Sequence, residues 1–324
     1  MAQSPPPVPR RAVVTGAAGF IGSHLALALV RSGATVIGVD RRPPATDKVA
    51  AANLTPLHGI RGYTHVTADL TTCAIDPLLV EADAVFHLAG IPGVRPSWGP
   101  QFTEYVTCNV LATQRLLNSA TRMRVPRLVV ASSSSVYGTS PGGPSTESNL
   151  PHPMSPYAVS KLAEEQLCLA HASRSTSPTR VIALRYFTVY GPRQRADMFT
   201  HRVLTAALTG EPLPLYGTGH QRRDLTYVDD TVAATLAAAT APDAHGVINV
   251  GTGTSTSLLE IITTARHLTG RDIDVRPGTE RDGDVPATHA DTTLARTLLG
   301  WQPTVDLHTG MHAQLQSMTE PSYS

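Results

Sequence analysis

The strongest constraint on the fold is the regular alternation of short apolar segments with helical patterns along the first half of the chain. The apolar segments have the length of buried strands, and the apolar residues between them recur at helical spacing. Strands that alternate with helices form a parallel, doubly wound sheet with right-handed crossovers, so we predict an α/β fold. The predicted strands are residues 12–15, 35–39, 65–67, 84–87, 128–131 and 181–184, and the predicted helices are residues 23–32, 103–121 and 156–173.

A glycine loop follows the first predicted strand, at the edge of the sheet where ligands of this fold class bind. Residues 15–23 read Thr-Gly-Ala-Ala-Gly-Phe-Ile-Gly-Ser. Glycines at this spacing permit a tight turn and let the backbone approach a pyrophosphate, which the free N–H groups of the following helix stabilise. The loop therefore predicts a Rossmann-type dinucleotide site that includes Gly16, Gly19, Phe20, Ile21 and Gly22.

The ends of the next strands supply further candidate cofactor contacts. Asp40 lies eighteen residues beyond Gly22, where a carboxylate accepts hydrogen bonds from the adenosine ribose and repels a 2′-phosphate. This position favours NAD. The adjacent Arg41 and Arg42 leave NADP as the alternative, since two arginines can clasp a 2′-phosphate or instead stack on adenine. The remaining candidates follow the third and fourth strands: Asp69, Leu70, Leu88 and Ala89.

The second half of the chain is less regular than the first. Beyond about residue 185 it carries turns rich in proline and glycine, which predict a smaller domain over the sheet. We expect a disordered leader over residues 1–10, an NAD-binding domain over residues 11–184 and a substrate-binding domain over residues 185–324. Parts of residues 224–252 are regular enough to pack back on the first domain.

A tyrosine and a lysine four residues apart open the predicted helix at residues 156–173. Positions four apart share one face of a helix, so Tyr157 and Lys161 point toward the same site. A neighbouring ammonium favours the phenolate, which makes Tyr157 a candidate general base near neutral pH. The pair is conspicuous because Lys48 and Lys161 are the only lysines among 26 basic residues. A serine hydroxyl at the preceding strand end would complete a relay to the substrate.

These motifs resemble the extended short-chain dehydrogenase/reductase superfamily, and within it the nucleotide-sugar epimerases. The resemblance rests on the glycine loop, on Ser-Ser-Ser-Val-Tyr-Gly at residues 133–138 and on Tyr157 with Lys161, and it spans about residues 12–303. It implies that Ser133, four residues before the tyrosine of that segment, joins the pair as a catalytic residue, with Ser132 as the alternative. The cofactor contacts that it adds are Tyr157, Lys161 and Tyr186.

The resemblance also implies which reaction follows the shared first step, the oxidation of a sugar at C4 by NAD. Related 4,6-dehydratases carry Asp-Glu where this chain has Ser134 and Ser135, and uronate decarboxylases carry glutamate at the position of Ser135. Neither carboxylate is present here. The resemblance therefore favours epimerisation, in which the 4-keto sugar turns and takes the hydride back on its other face.

Residues 185–198 resemble a segment of the UDP-glucuronate 4-epimerases. In those enzymes a threonine and the arginine seven residues later contact the substrate carboxylate, which implies these roles for Thr188 and Arg195. An arginine fork suits a carboxylate. Arg193 is the alternative to Arg195, and Ala196 departs from the proline usual in the family. The further substrate contacts that the resemblance implies are Arg95, Ser133, Ser134, Ser135, Tyr157, Gln221, Arg223 and Arg281.

The predicted activity is accordingly the NAD-dependent conversion of UDP-glucuronate to UDP-galacturonate through a transient 4-keto sugar. A neutral UDP- or TDP-hexose 4-epimerase is the nearest alternative, and a 4-keto-forming dehydratase or decarboxylase is a more distant one. A protein that binds NAD as a sensor without catalysis is the alternative from another class.

Composition and spacing exclude several other classes of protein. A net charge of +1 argues against a nucleic-acid-coating surface, and no apolar stretch reaches the ~18 residues of a membrane span. The thirteen histidines show no metal-ligand spacing, and three scattered cysteines fit neither a disulfide framework nor a metal site. We therefore expect a soluble, cytoplasmic protein that binds a UDP-sugar and no metal.

A homodimer is the expected assembly, as the resemblance suggests. Two of the predicted helices carry apolar faces that fit a four-helix seam between two copies, although they fit the core equally well. The residues of these faces are Val106, Val110, Leu117, Leu162, Leu167 and Leu169.

Overall fold

The computed structural model describes residues 8–139, 142–278 and 283–319 of the chain. The strands are β1 (Arg11–Thr15), β2 (Thr35–Asp40), β3 (Tyr63–Thr67), β4 (Ala84–His87), β5 (Arg127–Ser133), β6 (Arg180–Tyr186), β7 (Thr188–Tyr190), β8 (Leu213–Tyr216), β9 (Arg222–Arg223), β10 (Leu225–Tyr227), β11 (Gly246–Val250), β12 (Thr256–Ser257) and β13 (Val275–Gly278). The α-helices are α1 (Phe20–Arg31), α2 (Lys48–Leu54), α3 (Phe102–Tyr105), α4 (Ala112–Arg122), α5 (Pro156–Ala172), α6 (Phe199–Thr209), α7 (Val228–Thr240), α8 (Leu258–Thr269), α9 (Thr293–Leu299) and α10 (Leu307–Thr319).

The largest element is a seven-stranded sheet in the order β11-β6-β5-β4-β1-β2-β3, with every neighbouring pair parallel. The strand order reverses at β1, which lies between β2 and β4. A crevice opens at the carboxyl ends of the strands where such a reversal occurs, and ligands of doubly wound sheets bind there. The predicted α/β class with a Rossmann-type sheet is confirmed.

Helices cover both faces of this sheet, and the alternation of side chains along β1 shows how the two layers form. Ala12 and Val14 pack into the cluster that includes α1 and α7, whereas Val13 packs into the cluster that includes α4. Successive side chains of a strand point to opposite faces, so a fully apolar strand serves both cores.

The helix predicted over residues 103–121 is interrupted in the structure. A π-helical segment, Val106–Leu111, lies between α3 and α4. Asn109 in this segment is buried, where its Oδ1 accepts from the backbone N of Ile91 (2.7 Å) and its Nδ2 donates to Ser160 Oγ (3.0 Å). These bonds satisfy the amide of Asn109 inside the protein, at a π turn of the kind often found beside functional sites.

The same region corrects one residue of the expected dimer seam. Leu117 on α4 is 1% exposed and belongs to the core under the sheet, so it cannot meet a second copy. Among the other proposed seam residues, Val106 is exposed, and Val110, Leu162, Leu167 and Leu169 are half-buried.

The second half of the chain combines short sheets with helices. β7 pairs with β10, β8 with β13 and β9 with β12, and α8 packs against α6 and α10. β11 leaves this region and extends the main sheet beside β6. At the start of the chain, residues 1–7 of the predicted leader lie outside the described residues, while Val8 packs against the core. Within the described ranges, no helix is long and apolar enough to cross a membrane.

Candidate active site

The glycine loop joins β1 to α1 at the point where the strand order reverses. Gly16 has a φ of +70°, and a Cβ there would lie 2.8 Å from the backbone of Leu88 and Ala89. A Cβ at Gly22 would lie 2.1 Å from the carbonyl oxygen of Gly16. Only glycine permits this close packing of the loop. Gly19 is the N-cap residue of α1 and no side chain caps the helix, so its first N–H groups remain for a ligand.

Asp40 ends β2 beside this loop and is 7% exposed. Its Oδ2 accepts from the backbone N of Ala18 (3.0 Å), and its Oδ1 accepts from the backbone N of Arg42 (3.0 Å). The guanidinium of Arg42 donates to the carbonyl oxygen of Ala18 (2.8 Å), and that of Arg41 donates to Glu104 (2.9 Å). Both arginines are thus engaged within the protein, which argues against the NADP alternative.

A cleft of about 550 Å³ continues from Arg41 along the carboxyl ends of β2 and β3. Asp69 lines it, and its carboxylate accepts from the backbone N (2.8 Å) and the hydroxyl (2.7 Å) of Thr71. These hydrogen bonds hold the pKa of Asp69 below its usual value. Leu70, also predicted at this edge, is buried, and its carbonyl oxygen accepts from Arg115. The cleft therefore offers an anionic wall near the expected adenosine position.

Tyr157 and Lys161 lie on the first turns of α5, one turn apart. Ser155 caps this helix by accepting from the backbone N of Ala158 (3.2 Å), and Pro156 follows as its first residue. Lys161 is 7% exposed, and its Nζ donates to Glu164 Oε2 at 2.5 Å. Burial pulls the pKa of Lys161 down, but the charges of Glu164 and Tyr157 outweigh burial and leave that pKa raised. Lys161 is accordingly an ammonium coupled to the phenol of Tyr157.

The serines at the end of β5 face different partners. Ser132 donates from its Oγ to Glu165 Oε2 (2.7 Å) in the interior, so its hydroxyl proton is committed there. Ser133 accepts from the backbone N of Ser135 (3.2 Å), which leaves its hydroxyl free to donate. Ser134 and Ser135 begin a 3₁₀ turn and are half-buried. This geometry favours Ser133 over Ser132 as the hydroxyl that meets a substrate.

Tyr186 and Leu88 complete the predicted cofactor contacts, and the structure places them differently. The hydroxyl of Tyr186 lies 2.7 Å from that of Thr235 on α7, so its side chain belongs to the core rather than to an open crevice. Leu88 follows β4, where its backbone N donates to the carbonyl oxygen of Thr15 (3.2 Å). Of the two residues, only Leu88 sits against the glycine loop.

Arg193 and Arg195, the two candidates for the substrate carboxylate, point in different directions. Arg193 has a φ of +63° and donates to the carbonyl oxygen of Asn53 (3.1 Å) and to His24 Nε2 (3.1 Å). Burial there lowers its pKa to about 10. Arg195 forms a two-pronged ion pair with the exposed Asp197 (2.9 and 2.7 Å). Because Arg193 is held between α1 and α2, Arg195 is the better candidate.

The segments after β4 and within the second half of the chain bring further basic groups together. Arg95 donates to Asp284 (3.2 Å) and lies over the ring of Tyr216, 4.8 Å from its centroid. Arg223 is near the charges of Arg95 and Asp284, and burial lowers the pKa of the Arg223 guanidinium. Gln221 donates to the carbonyl oxygen of Tyr216 (3.0 Å). Arg281 lies outside the described residues.

Sequence reasoning missed a buried polar network behind Lys161. Glu165 accepts two hydrogen bonds from Arg185 (2.9 and 2.6 Å), and the guanidinium of Arg185 lies 4.6 Å from the centroid of the Tyr137 ring. His87 lies 3.9 Å from Glu164 Oε1. The available signal was spacing, since Glu164 and Glu165 follow Lys161 by three and four residues and share its helix face.

Comparison with known proteins agrees with this architecture. Residues 12–251 match the model of the NAD dependent epimerase/dehydratase family. The chain belongs to this family. An uncharacterized UDP-glucose epimerase of Bacillus subtilis, YtcB, is 38% identical over 302 residues, which cover 92% of this chain and 95% of that protein.

Two groups of solved structures are similar over nearly the whole chain. MoeE5, solved with UDP-glucuronic acid and NAD, has a TM-score of 0.87 and 44% identity, and the match covers 95% of this chain and 98% of MoeE5. UDP-glucuronic acid 4-epimerase from Bacillus cereus, solved with UDP-glucuronic acid and NAD, has a TM-score of 0.90 and 38% identity, with the same coverage. These family members resemble the chain in sequence and in structure.

Proposed function

We propose that this protein is an NAD-dependent UDP-sugar 4-epimerase whose substrate is UDP-glucuronate. The observation that carries the proposal is the pairing of Tyr157 with the buried ammonium of Lys161 on the first turns of α5, a helix that packs against β5. The family membership and the likeness to structures solved with NAD and UDP-glucuronic acid support it.

The residues present fit NAD. The N-terminus of α1 carries no side-chain cap, and the backbone N of Ala18 holds the Asp40 carboxylate at the end of β2, where a ribose would meet it. NAD bound here would supply the acceptor and donor of the hydride at C4 of the sugar. In this proposal Lys161 would steady the nicotinamide ribose, while the cleft beside Arg41 and Asp69 would receive the adenosine.

The protein's own residues carry the proton chemistry in this proposal. Tyr157 Oη takes the proton of the 4-hydroxyl as the sugar is oxidised and returns it after the 4-keto sugar has turned over. Lys161 favours the phenolate by its charge. The Ser133 hydroxyl orients the substrate by donating a hydrogen bond. No further acid or base is needed, which accords with serines at positions 134 and 135.

Thr188 and Arg195 would hold the substrate carboxylate. The oxidised uronate is a β-keto acid, which loses carbon dioxide when its carboxylate bond stands perpendicular to the ketone plane. A two-pronged contact from Arg195 would keep the carboxylate near that plane and so protect the intermediate. For this, the uronate must displace Asp197 from Arg195.

A neutral UDP-hexose is the second candidate substrate, and the ion pair between Arg195 and Asp197 favours it. An arginine that is already neutralised presents no net charge to an uncharged sugar. The relative in Bacillus subtilis is named as a UDP-glucose epimerase.

Incubation of the purified protein and NAD with UDP-glucuronate, followed by proton NMR, tests the proposal. We expect UDP-galacturonate to accumulate toward equilibrium. Conversion of UDP-glucose alone would transfer the assignment to the neutral hexose. Formation of a UDP-pentose, or no conversion of either sugar, would refute the epimerase assignment.

A further inference from the structure

Two consecutive glutamates lie behind the catalytic pair, and the reaction described above uses neither. Glu164 is 1% exposed and Glu165 is fully buried. They follow Lys161 on α5 by three and four residues, which places them on the same face of the helix. Buried carboxylates are unfavourable unless other groups balance them, so each needs an account of its charge.

Both carboxylate oxygens of Glu165 have hydrogen-bond partners, and a guanidinium compensates the charge. Arg185 donates from Nε to its Oε2 (2.9 Å) and from Nη2 to its Oε1 (2.6 Å). Ser132 adds a third hydrogen bond to Oε2 (2.7 Å). A two-pronged guanidinium contact of this kind gives both carboxylate oxygens a charge-assisted hydrogen bond.

Only one of the two carboxylate oxygens of Glu164 has a hydrogen-bond partner among the residues that the structure describes. Its Oε2 accepts from Lys161 Nζ (2.5 Å), whereas its Oε1 makes no hydrogen bond within the described part of the chain. The hydroxyl of Thr113 lies near enough to lower the pKa of Glu164, but it donates its hydrogen to the carbonyl oxygen of Asn109 (2.6 Å). Glu164 therefore has one oxygen available to hold a proton.

His87 on β4 does not supply the missing charge. Its Nε2 is 3.9 Å from Glu164 Oε1, but its two ring nitrogens already lie at 2.7 Å from Thr15 Oγ1 and 2.9 Å from Thr113 Oγ1. Complete burial lowers the pKa of His87 to about 3, so the ring is neutral at physiological pH. Lys161 is then the one cation in direct contact with Glu164 among the described residues.

The ammonium of Lys161 thus interacts with two groups: the carboxyl of Glu164 through a direct hydrogen bond, and the phenol of Tyr157 through its charge. When Glu164 is ionised, the pair Lys161–Glu164 has no net charge, and its field at the phenol is weak. When Glu164 is protonated, the lysine charge is uncompensated and favours the phenolate. The charge of one buried carboxyl therefore changes the strength of the base two turns away on the same helix.

We propose that Glu164 is a positioning residue of the active site, which holds the Lys161 ammonium and, through its own protonation, sets the positive field that this ammonium exerts on Tyr157. The inference rests on the proposed epimerase function, in which Tyr157 is the base. It goes beyond that function by assigning control of the base to a carboxyl that does not touch substrate.

The other groups around Glu164 keep a fixed charge near neutral pH. Burial raises the pKa of the Cys168 thiol on α5 far above neutrality. Glu165 is locked to Arg185 of β6, and His87 of β4 is neutral. Burial raises the pKa of Glu164 to about 7, and the attraction of Lys161 limits the rise. Glu164 is accordingly the titrating member of the cluster, and its charge changes the field that Lys161 exerts on Tyr157.

The decisive experiment compares the pH profile of kcat/KM in the wild-type holoenzyme and in Glu164→Gln. Glutamine keeps the size and one hydrogen-bond acceptor for Lys161 but removes the charge. In the wild type, we expect log kcat/KM to rise with pH on the acid limb of the profile with a slope below one. The slope is reduced because ionisation of Glu164 weakens the field that favours the active form of Tyr157. In Glu164→Gln the limb should steepen to unit slope and move to lower pH by about one unit. Glu164→Asp, which keeps an ionisable group, should retain the shallow limb.

Glu211→Gln is the matched control, since it removes one negative charge from an exposed position outside the site and should reproduce the wild-type profile. Superimposable profiles of wild type and Glu164→Gln, or a shift to higher pH, would overturn the inference. A wild-type protein that converts no UDP-sugar would instead refute the proposed function.

A measurement without turnover covers the case in which Glu164→Gln does not fold. In wild-type protein labelled with ¹³C at the glutamate carboxyls, one resonance should titrate near pH 7, and Glu164→Asp should lack it. Titration of every glutamate carboxyl below about pH 5, near the ordinary value of ~4.3, would overturn the inference.

Discussion

Arg193 and Arg195 lie in the same sequence motif but make different contacts, so only one of them is available to a substrate. The two side chains are separated by one residue, yet Arg193 bonds to His24 on α1, whereas Arg195 pairs with the exposed Asp197. Arg193 also has a positive φ, a backbone conformation that residues other than glycine seldom adopt. Sequence reasoning left both candidates open because spacing alone does not reveal a backbone angle.

Replacing Arg195 separates the two candidate substrates. Arg195→Ala should lower kcat/KM for UDP-glucuronate by about 10- to 150-fold, since a hydrogen bond to a charged group contributes about 1.5–3 kcal/mol. The value for UDP-glucose should change little, because that sugar carries no carboxylate. Steady-state kinetics on both sugars measure the ratio.

Arg193→Ala provides the control for that experiment. It should lower the melting temperature, because it removes buried hydrogen bonds to α1 and α2, without changing the ratio of the two substrates. Equal losses on both sugars in Arg195→Ala would contradict the assigned role of Arg195.

At the scale of elements, the apolar pattern predicted the sheet well and the details of the helices less well. Each of the strands predicted in the first half corresponds to a strand of the main sheet, and the central strands β1, β4 and β5 are largely apolar because both of their faces are buried. The π segment Val106–Leu111 was not predicted, since its apolar residues recur as they would in a continuous helix. Asn109 in this segment bonds to Ser160 on α5, a contact between residues 51 positions apart that no local pattern indicates.

The network behind Lys161 was missed for a related reason. Helix spacing places Glu164 beside Lys161, but their burial depends on β4 and α4, which lie far away in the sequence. The contact between Arg95 and Asp284 joins residues 189 positions apart, which no local pattern predicts. The catalytic and binding roles given to the site residues stay predictions until they are measured.

His87 ties three elements together and predicts how stability depends on pH. Its ring links Thr15 at the end of β1 to Thr113 on α4. The pKa of His87 is about 3 in the folded protein but near ~6.5 when unfolded, so the unfolded chain binds one more proton between these values. The contribution of His87 to stability should therefore be complete above about pH 6.5 and fall at lower pH by up to about 1.4 kcal/mol per pH unit.

Urea denaturation of wild type and His87→Gln between about pH 4.5 and 7.5 measures this contribution. Glutamine can both donate and accept a hydrogen bond at this position. In the variant, the free energy of unfolding should change less steeply with pH, by an amount that corresponds to up to one bound proton. His58→Gln, at an exposed position, should keep the wild-type slope. Identical slopes for wild type and His87→Gln would show that His87 is not the responsible group.

At the scale of the whole molecule, an apolar surface remains on the helices beside the active site. Val106 (40% exposed), Leu111 (50%) and Val159 (46%) lie on the π segment and on α5, which pack against each other. We propose that two copies associate through this surface, because apolar groups grouped on one face of a chain gain free energy when a second copy covers them.

Sedimentation velocity tests the assembly. We expect a species of about twice the 34.3 kDa chain mass. The double variant Val106→Asp/Val159→Asp should sediment as a monomer with an unchanged circular dichroism spectrum, because buried charges oppose association. A wild-type protein that remains monomeric at high concentration would contradict the proposed dimer.

The central claim is that Tyr157 moves the 4-hydroxyl proton while the hydrogen on C4 leaves and returns within one active site. Conversion of UDP-glucuronate deuterated at C4, followed by NMR of the product, tests it most directly. The account predicts UDP-galacturonate that retains its deuterium at C4, with no hydrogen from solvent at C4 or C5, and no conversion by Tyr157→Phe. Replacement of the C4 deuterium by solvent hydrogen, or full turnover by Tyr157→Phe, would contradict it.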